Sequence, residues 1–346
     1  MNQHELYMHR CIELARLGAG YVAPNPMVGS VLVYENMIIG EGYHRQYGQS
    51  HAEVNCINSV KEENKHLIEK SVIYVSLEPC AHFGKTPPCA DLIIRHKIPT
   101  VVIGCRDPFE QVDGKGIEKL KNAGITVITA VLENECKELN KRFFTFHTKQ
   151  RPYLILKWAQ SKNQKIANAD FSRVLISNAY TNRLVHKWRS EEAGIMTGTN
   201  TTLVDNPSLN TRNWTGPDPV RLIIDMNLRL PSTLQIFDQN QKTIVFNAYK
   251  HEDRQNLLYY KLDKGVPVVS SVLKACYQLQ IQSILVEGGT RLLQSFIDEK
   301  VWDEVRIIEN SQLIIDDGLQ APVLSDHLFT ASENISTDVI THYKMK

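Results

Sequence analysis

His51, Glu53, Cys80 and Cys89 are the side chains of this sequence whose types and order could do chemistry. One imidazole and two thiolates form a three-ligand set for zinc and leave a fourth coordination position open to water. Structural zinc sites usually fill all four positions with protein, so three ligands favour a catalytic ion. Glu53 lies two residues past His51, where a carboxylate can reach that water without ligating the metal and so carry protons. The plain alternative is a set of ordinary buried residues, since free cysteine is often buried as a small hydrophobe. That alternative leaves unexplained why a His, a Glu and a Pro79-Cys80 pair occur in this order with a strand-like stretch between them.

Particular elements must position these groups. Residues 52–57 open a helical run, with Ser50 as a candidate N-cap. Residues 71–77 are β-branched and apolar and predict a buried strand, which Pro79-Cys80 follows directly. Residues 90–95 predict a second helix just after Cys89. Helix starts carry orphan N–H groups and partial positive charge, which help to keep both thiols as thiolates. Around this centre the pattern predicts a helix over residues 4–17 and a hairpin of strands 28–34 and 37–40 turning at Glu35-Asn36. Strands over 100–104 and 125–131 and helices over 116–123 and 133–146 follow, while His44 falls on the segment leading to His51. Such alternation implies a layered α/β domain with a mixed or mainly parallel sheet.

The order His-x-Glu, Pro-Cys, Cys resembles that of the zinc nucleobase deaminases, in which the Glu carries protons. The usual signature has two residues between its cysteines, whereas eight separate Cys80 from Cys89. That longer loop departs from the nucleic-acid-editing pattern and offers Lys85 and Thr86 to a charged substrate. The segment Glu78-Pro79-Cys80-Ala81-His82-Phe83-Gly84-Lys85-Thr86-Pro87-Pro88-Cys89 resembles the zinc loop of the bifunctional riboflavin-biosynthesis deaminase/reductase. So do Asn25-Pro26-Met27-Val28-Gly29 upstream and Arg106-Asp107-Pro108 downstream, and the likeness extends over nearly the whole chain. It implies an N-terminal cytidine-deaminase-like α/β/α layered domain over residues 1–148 and a dihydrofolate-reductase-like α/β domain over 149–346. It also implies zinc on His51, Cys80 and Cys89, Glu53 as proton carrier, and Asn25, His44, Lys85 and Asp107 as contacts to a diaminopyrimidine ribosyl phosphate.

A boundary falls in the polar stretch Thr148-Lys149-Gln150-Arg151-Pro152, after which residues 153–159 begin a new apolar strand. Alternation resumes with a helix near 178–192 and strands near 194–198, 220–225, 243–246, 266–269 and 283–286. Glu287-Gly288-Gly289-Thr290 joins the last of these to a helix over 291–296, a turn whose glycines let a phosphate approach helix N–H groups. By itself it reads equally well as a tight strand-to-helix turn. The run from Gly198 to Arg212 is unusually polar for a connection and is either a solvated loop or a ligand-binding one. Arg189, whose planar fork binds oxyanions bidentately, is a second phosphate candidate.

Both segments resemble the reductase half of the same bifunctional enzyme, which uses NADPH. The resemblance implies that Thr201, Asp205, Gly289, Thr290, Arg291 and Ser295 meet the dinucleotide. It implies that Lys157, Arg189, Leu209, Arg212 and Glu287 line the ribosyl-phosphate site. Several positions depart from the family pattern. Asn163 and Gln164 replace an Asp-Gly turn, Leu175 stands where Trp is frequent, and Ile314-Ile315-Asp316-Asp317-Gly318 lacks paired glycines. These raise a second reading, a deaminase whose other domain holds ligand without reducing it. In the first half Phe109 replaces a commonly polar residue.

Composition bounds the rest. With 346 residues there is room for two sizeable cores, and 42% hydrophobic with 22% charged residues is the balance of a globular protein. A net charge of +1 without a basic stripe argues against long nucleic acid and for small-molecule chemistry, which disfavours a transfer-RNA deaminase. Seven scattered cysteines, no signal-like segment and no membrane-spanning run lead us to expect a reducing, cytoplasmic location and no membrane contact. A homo-oligomer is expected. A non-catalytic nucleotide-binding module with structural zinc is the reading from a different class.

Overall fold

A computed structural model describes residues 2–83, 87–110, 112–263 and 265–346. Lys85 and Thr86 therefore lie outside the described residues. The chain divides into two compact units, Met1–Lys149 and Gln150–Lys346.

The first unit is built on strands β1 (Gly29–Tyr34), β2 (Met37–Tyr43), β3 (Val72–Leu77), β4 (Thr100–Cys105) and β5 (Thr126–Ile128). They pair in the order β2-β1-β3-β4-β5, antiparallel around β1 and parallel from β3 onward, so the sheet is mixed. Glu35 and Asn36 both take positive φ (44° and 69°), which suits the two-residue hairpin between β1 and β2. Helices α1 (Gln3–Arg16), α2 (Ala52–Asn58), α3 (Cys89–Arg95), α4 (Lys115–Asn122), α5 (Glu133–Leu139) and α6 (Lys141–Lys149) supply the outer layers. Strand alternation sorts the core: Leu32, Ile73, Val75, Val101 and Ile103 pack on Cys56, Ala90, Ile93 and Leu120. Val31, Val33, Tyr74 and Val102 pack on the other side, on Tyr7, Met8, Cys11 and Cys136. Each such buried aliphatic chain contributes about 1.5–3 kcal/mol.

The helix expected over 133–146 is interrupted at Asn140, which ends α5. The buried side chain of Asn140 accepts from Met27 N (2.8 Å) and donates to Met27 O (2.8 Å), tethering the segment that carries Asn25.

In the second unit the strands are β6 (Tyr153–Ser161), β7 (Lys165–Asn168), β8 (Gly194–Gly198), β9 (Val220–Ile224), β10 (Thr243–Asn247), β11 (Glu252–Arg254), β12 (Leu257–Lys261), β13 (Ser283–Val286), β14 (Glu304–Asn310), β15 (Gly318–Gln320), β16 (His327–Ile335) and β17 (Asp338–Met345). Among the described residues ten form one sheet, ordered β11-β12-β10-β9-β8-β13-β6-β14-β17-β16. Its stretch from β12 to β14 is parallel, which accounts for the nearly continuous apolar runs of β6, β8, β9, β10 and β13. Helices α7 (Ala179–Glu191), α8 (Thr199–Asp205), α9 (Val268–Gln278) and α10 (Thr290–Asp298) complete the unit.

Two expectations fail here. Residues 266–269 are not a strand: Val268 starts α9, and Val269, Val272, Leu273, Ala275 and Cys276 repeat at helical spacing along its buried face. Local β-branched propensity yielded to that longer period. The polar run 198–212 is not all loop either, because α8 occupies its first half. No helix of the described residues is long and apolar enough to cross a membrane.

Candidate active sites

His51 itself is the N-cap residue of α2, in place of Ser50, and no side chain caps that helix. This extended backbone puts the imidazole beside the thiols: His51 Nδ1 lies 3.6 Å from Cys80 Sγ and 3.3 Å from Cys89 Sγ. The three donor atoms all fall within 4.8 Å of one another. Zinc bonds of about 2.3 Å to sulfur and about 2.0–2.1 Å to nitrogen, in a tetrahedron, give N–S edges of about 3.6 Å. The donor set therefore fits the ion. Cys80 follows β3 and Cys89 begins α3, where the Cys89 N–H, an orphan of the first helical turn, donates to Cys80 Sγ (3.3 Å). Cys89 and then His51 hold the Cys80 thiol down, while Cys80 and then burial push the Cys89 thiol up.

Glu53 occupies the first turn of α2 and is only 3% exposed. Burial, then the Cys80 charge, push its carboxyl above the ordinary carboxylate range, which makes it a ready proton acceptor. His44 Nδ1 lies 3.1 Å from Ser50 O, and Asn25 Nδ2 lies 3.1 Å from His44 Nε2. A carbonyl only accepts, so Nδ1 carries the proton and Nε2 accepts from Asn25; the tautomer follows from this network. Burial lowers the His44 pKa and keeps the ring neutral. Asp107, buried just past β4, accepts at Oδ1 from Phe109 N (2.8 Å) and is pushed by burial up to about 7. Phe109 joins an aromatic cluster, its ring 5.0 Å from that of His147 and 6.0 Å from that of His82.

In the second unit a cleft of about 1260 Å³ opens over the middle of β6 at Lys157 and at the C-terminal ends of β8, β9 and β13, lined there by Gly198, Ile224 and Glu287. Crevices at that end of a parallel sheet are where ligands bind. The volume lies above the roughly 300–1,000 Å³ of an ordinary single-ligand pocket. Lys157, Arg173, Arg189, Arg212, Arg229 and Arg291 line it against Asp205 and Glu287, an excess of cations suited to phosphates.

Glu287 is the hub. Arg189 Nε and Nη2 donate to its two carboxylate oxygens at 2.8 and 2.9 Å, and Lys157 Nζ lies 3.5 Å from Oε2. Burial would push the carboxyl up, but Arg189 and then Lys157 more than offset it and hold it at about 2. The fork of Arg189, a phosphate candidate by sequence, is thus engaged by Glu287, and its Nη1 donates to Asn210 O (3.2 Å). Arg212 is more exposed than Arg189. Leu209, Thr201, Asp205, Gly289, Thr290 and Arg291 also line the cleft. Gly289, the N-cap of α10, donates its N–H to Thr201 Oγ1 (3.0 Å). Ser295 does not line the cleft; its hydroxyl donates to Leu292 O within α10 (2.7 Å).

A family model described as the cytidine and deoxycytidylate deaminase zinc-binding region matches residues 1–105, and one described as the RibD C-terminal domain matches residues 152–314. The riboflavin biosynthesis protein RibD of Aquifex aeolicus is 37% identical over 355 residues, covering 98% of this chain and 97% of that protein. This chain belongs to the RibD family. The RibD of Escherichia coli is 32% identical over 88% of this chain and 86% of its own length. A crystal structure from Thermotoga maritima, described as a diaminohydroxyphosphoribosylaminopyrimidine deaminase/5-amino-6-(5-phosphoribosylamino)uracil reductase, matches with a TM-score of 0.90 at 36% identity, covering 99% of both chains. As a RibD-family protein the chain is a bifunctional enzyme of riboflavin biosynthesis, with a deaminase domain, a reductase domain, and zinc and NADPH as cofactors. A match spanning both domains does not favour the silent second domain, the transfer-RNA deaminase or the non-catalytic module.

The departures from the RibD pattern have local substitutes. Asn163 Oδ1 accepts from Ser161 Oγ (2.7 Å) and Ile315 N (3.2 Å), while its Nδ2 donates to Ile315 O (2.8 Å), so it ties the turn after β6 to the segment lacking paired glycines. Gln164 adopts φ 58°, the left-handed conformation that glycine takes more readily. Leu175 lines the cleft while 77% exposed. Sequence reasoning missed Arg173 and Arg229 in the lining, isolated in polar connections without a motif signal, and Asn140 behind Asn25, hidden inside the helix expected over 133–146.

Proposed function

We propose that residues 1–148 carry the deamination and residues 149–346 the reduction. The convergence of His51, Cys80 and Cys89 beside buried Glu53 is the observation that carries the reading. When bound at those three donors, zinc supplies a Lewis acid that acidifies water. A carboxylate oxygen of Glu53 takes a proton as water adds to the amine-bearing pyrimidine carbon, then returns it to the nitrogen that leaves as ammonia. Asn25, fixed by neutral His44, and Asp107 hold the pyrimidine, and Lys85 meets the charged end of the substrate.

Thr201, Asp205 and the Gly289-Thr290-Arg291 turn, with Ser295 behind it, would hold NADPH, which would supply a hydride to the ribosyl C1′ so that, with a proton taken up at the ring oxygen, the sugar opens to a ribityl chain. Lys157, Leu209 and Arg212, braced by the Arg189–Glu287 pair, hold the ribosyl phosphate; positioning and electrostatics suffice without a protein nucleophile. The near-neutral charge supports small molecules over nucleic acid as partners, and the seven free cysteines support a reducing cytoplasm. β16, exposed over most of its length at the edge of its sheet, supports a homo-oligomer.

The test gives one preparation the diaminopyrimidine ribosyl phosphate, to read ammonia, and the aminouracil ribosyl phosphate, to read NADPH consumption with NADH alongside. Ammonia without NADPH turnover would remove the reductase assignment. Glu53→Gln should keep zinc and lose deamination by about a hundred- to ten-thousandfold; continued turnover would remove Glu53 from its role.

A further inference from the structure

Glu78 sits between the end of β3 and Pro79-Cys80, and its side chain has no part in the mechanism above. It is 4% exposed, and its carboxylate gathers four backbone N–H groups. Oε2 accepts from Asp107 N (3.3 Å) and Gly114 N (3.0 Å), and Oε1 accepts from Gly116 N (2.9 Å) and Ile117 N (3.1 Å). Its own N–H donates to Cys105 O (3.0 Å) at the end of β4. Gly116 and Ile117 belong to the first turn of α4, whose N-cap, Gly114, has no side chain to satisfy them. Glu78 therefore caps this helix from a different strand.

The same joint brings two backbones into contact. A Cβ at Gly116 would fall 1.9 Å from the Pro79 carbonyl oxygen, so only glycine lets the start of α4 press against the Pro79-Cys80 turn. Between Asp107 and Gly114 the loop is closed on itself by Arg106 Nε to Asp113 Oδ1 (2.7 Å) and by Val112 N to Phe109 O (2.8 Å). Through its bonds to Asp107, Gly114, Gly116 and Ile117, Glu78 fastens both ends of that loop and the start of α4 to the metal-binding turn. We infer that Glu78 is a positioning residue for deamination: one carboxylate sets Asp107, a substrate contact, at a fixed place relative to Cys80, a metal ligand.

This rests on the proposed deaminase reading, and wild-type ammonia release tests that reading separately. Glu78→Gln keeps the shape but has one accepting oxygen, and its amide NH2 faces two N–H donors that it repels. It should lower kcat/KM for deamination by roughly ten- to a hundredfold, as loss of a supporting partner behind a site residue does, mainly through KM. Zinc content and NADPH oxidation by the same preparation should match wild type. In an Asp107→Asn background the further loss from Glu78→Gln should largely vanish, because Glu78 acts through Asp107. Equal losses in both backgrounds would reduce Glu78 to general fold support, and unchanged kinetics would overturn the inference outright. If Glu78→Gln does not fold, Glu78→Asp, which keeps the charge but shortens the reach, enters the same cycle and is judged by the same two outcomes.

Discussion

Replacing Glu287 by Gln isolates the electrostatic hub of the reductase cleft. The carboxyl is held at about 2 against an ordinary 4.5, and both Arg189 and Glu287 side chains are only 12% exposed, so solvent screens the pair little. At about 1.4 kcal/mol per pH unit that difference amounts to about 3 kcal/mol of stability. Loss of one partner from a buried pair costs a similar ~3–5 kcal/mol. The sign follows from a depressed native pKa: the contribution is complete above pH 4.5 and is lost as pH falls through about 2. Glu287→Gln should therefore trail wild type by about 3 kcal/mol at pH 7 and by only ~1 kcal/mol at pH 3. Urea unfolding followed by tryptophan fluorescence reads this cleanly, because Trp158, Trp188, Trp214 and Trp302 all lie in the second unit. Equal stability at pH 7, or the same deficit at both pH values, would refute the assigned charge pairing.

Two further outcomes follow from single contacts. Asn140→Ala should destabilise the first unit by about 1–3 kcal/mol by leaving Met27 N and O without their partner, read as faster thermal loss of ammonia release with NADPH oxidation spared. Gln164→Gly should relieve a left-handed side-chain position and raise the urea midpoint of the tryptophan transition, by up to about 1 kcal/mol in stability; a lowered midpoint would show that the Gln164 side chain supplies more than the turn conformation costs.

Along the chain, the information that survives without a structure is local and chemical. The two-domain α/β organisation was readable because apolar periodicity depends on near neighbours, and β3, β6 and β13 stand out as largely apolar stretches. His51, Glu53, Cys80 and Cys89 were readable as a possible zinc site because metal chemistry restricts residue type and order. Residues 266–269 were misread because three valines around Pro267, the N-cap of α9, conceal the period that the helix maintains over its full length.

Tertiary structure alone decided which groups pair. Nothing in the sequence tells that Glu287 engages the fork of Arg189, that Asn140 holds Met27, or that Glu78 caps α4 across the sheet. Those partners are far apart in sequence, and a buried carboxylate or amide is satisfied by whichever donors the packed strands and helices bring within about 3 Å. Residue type fixes what a side chain can bond; only the packing of the sheets fixes with whom.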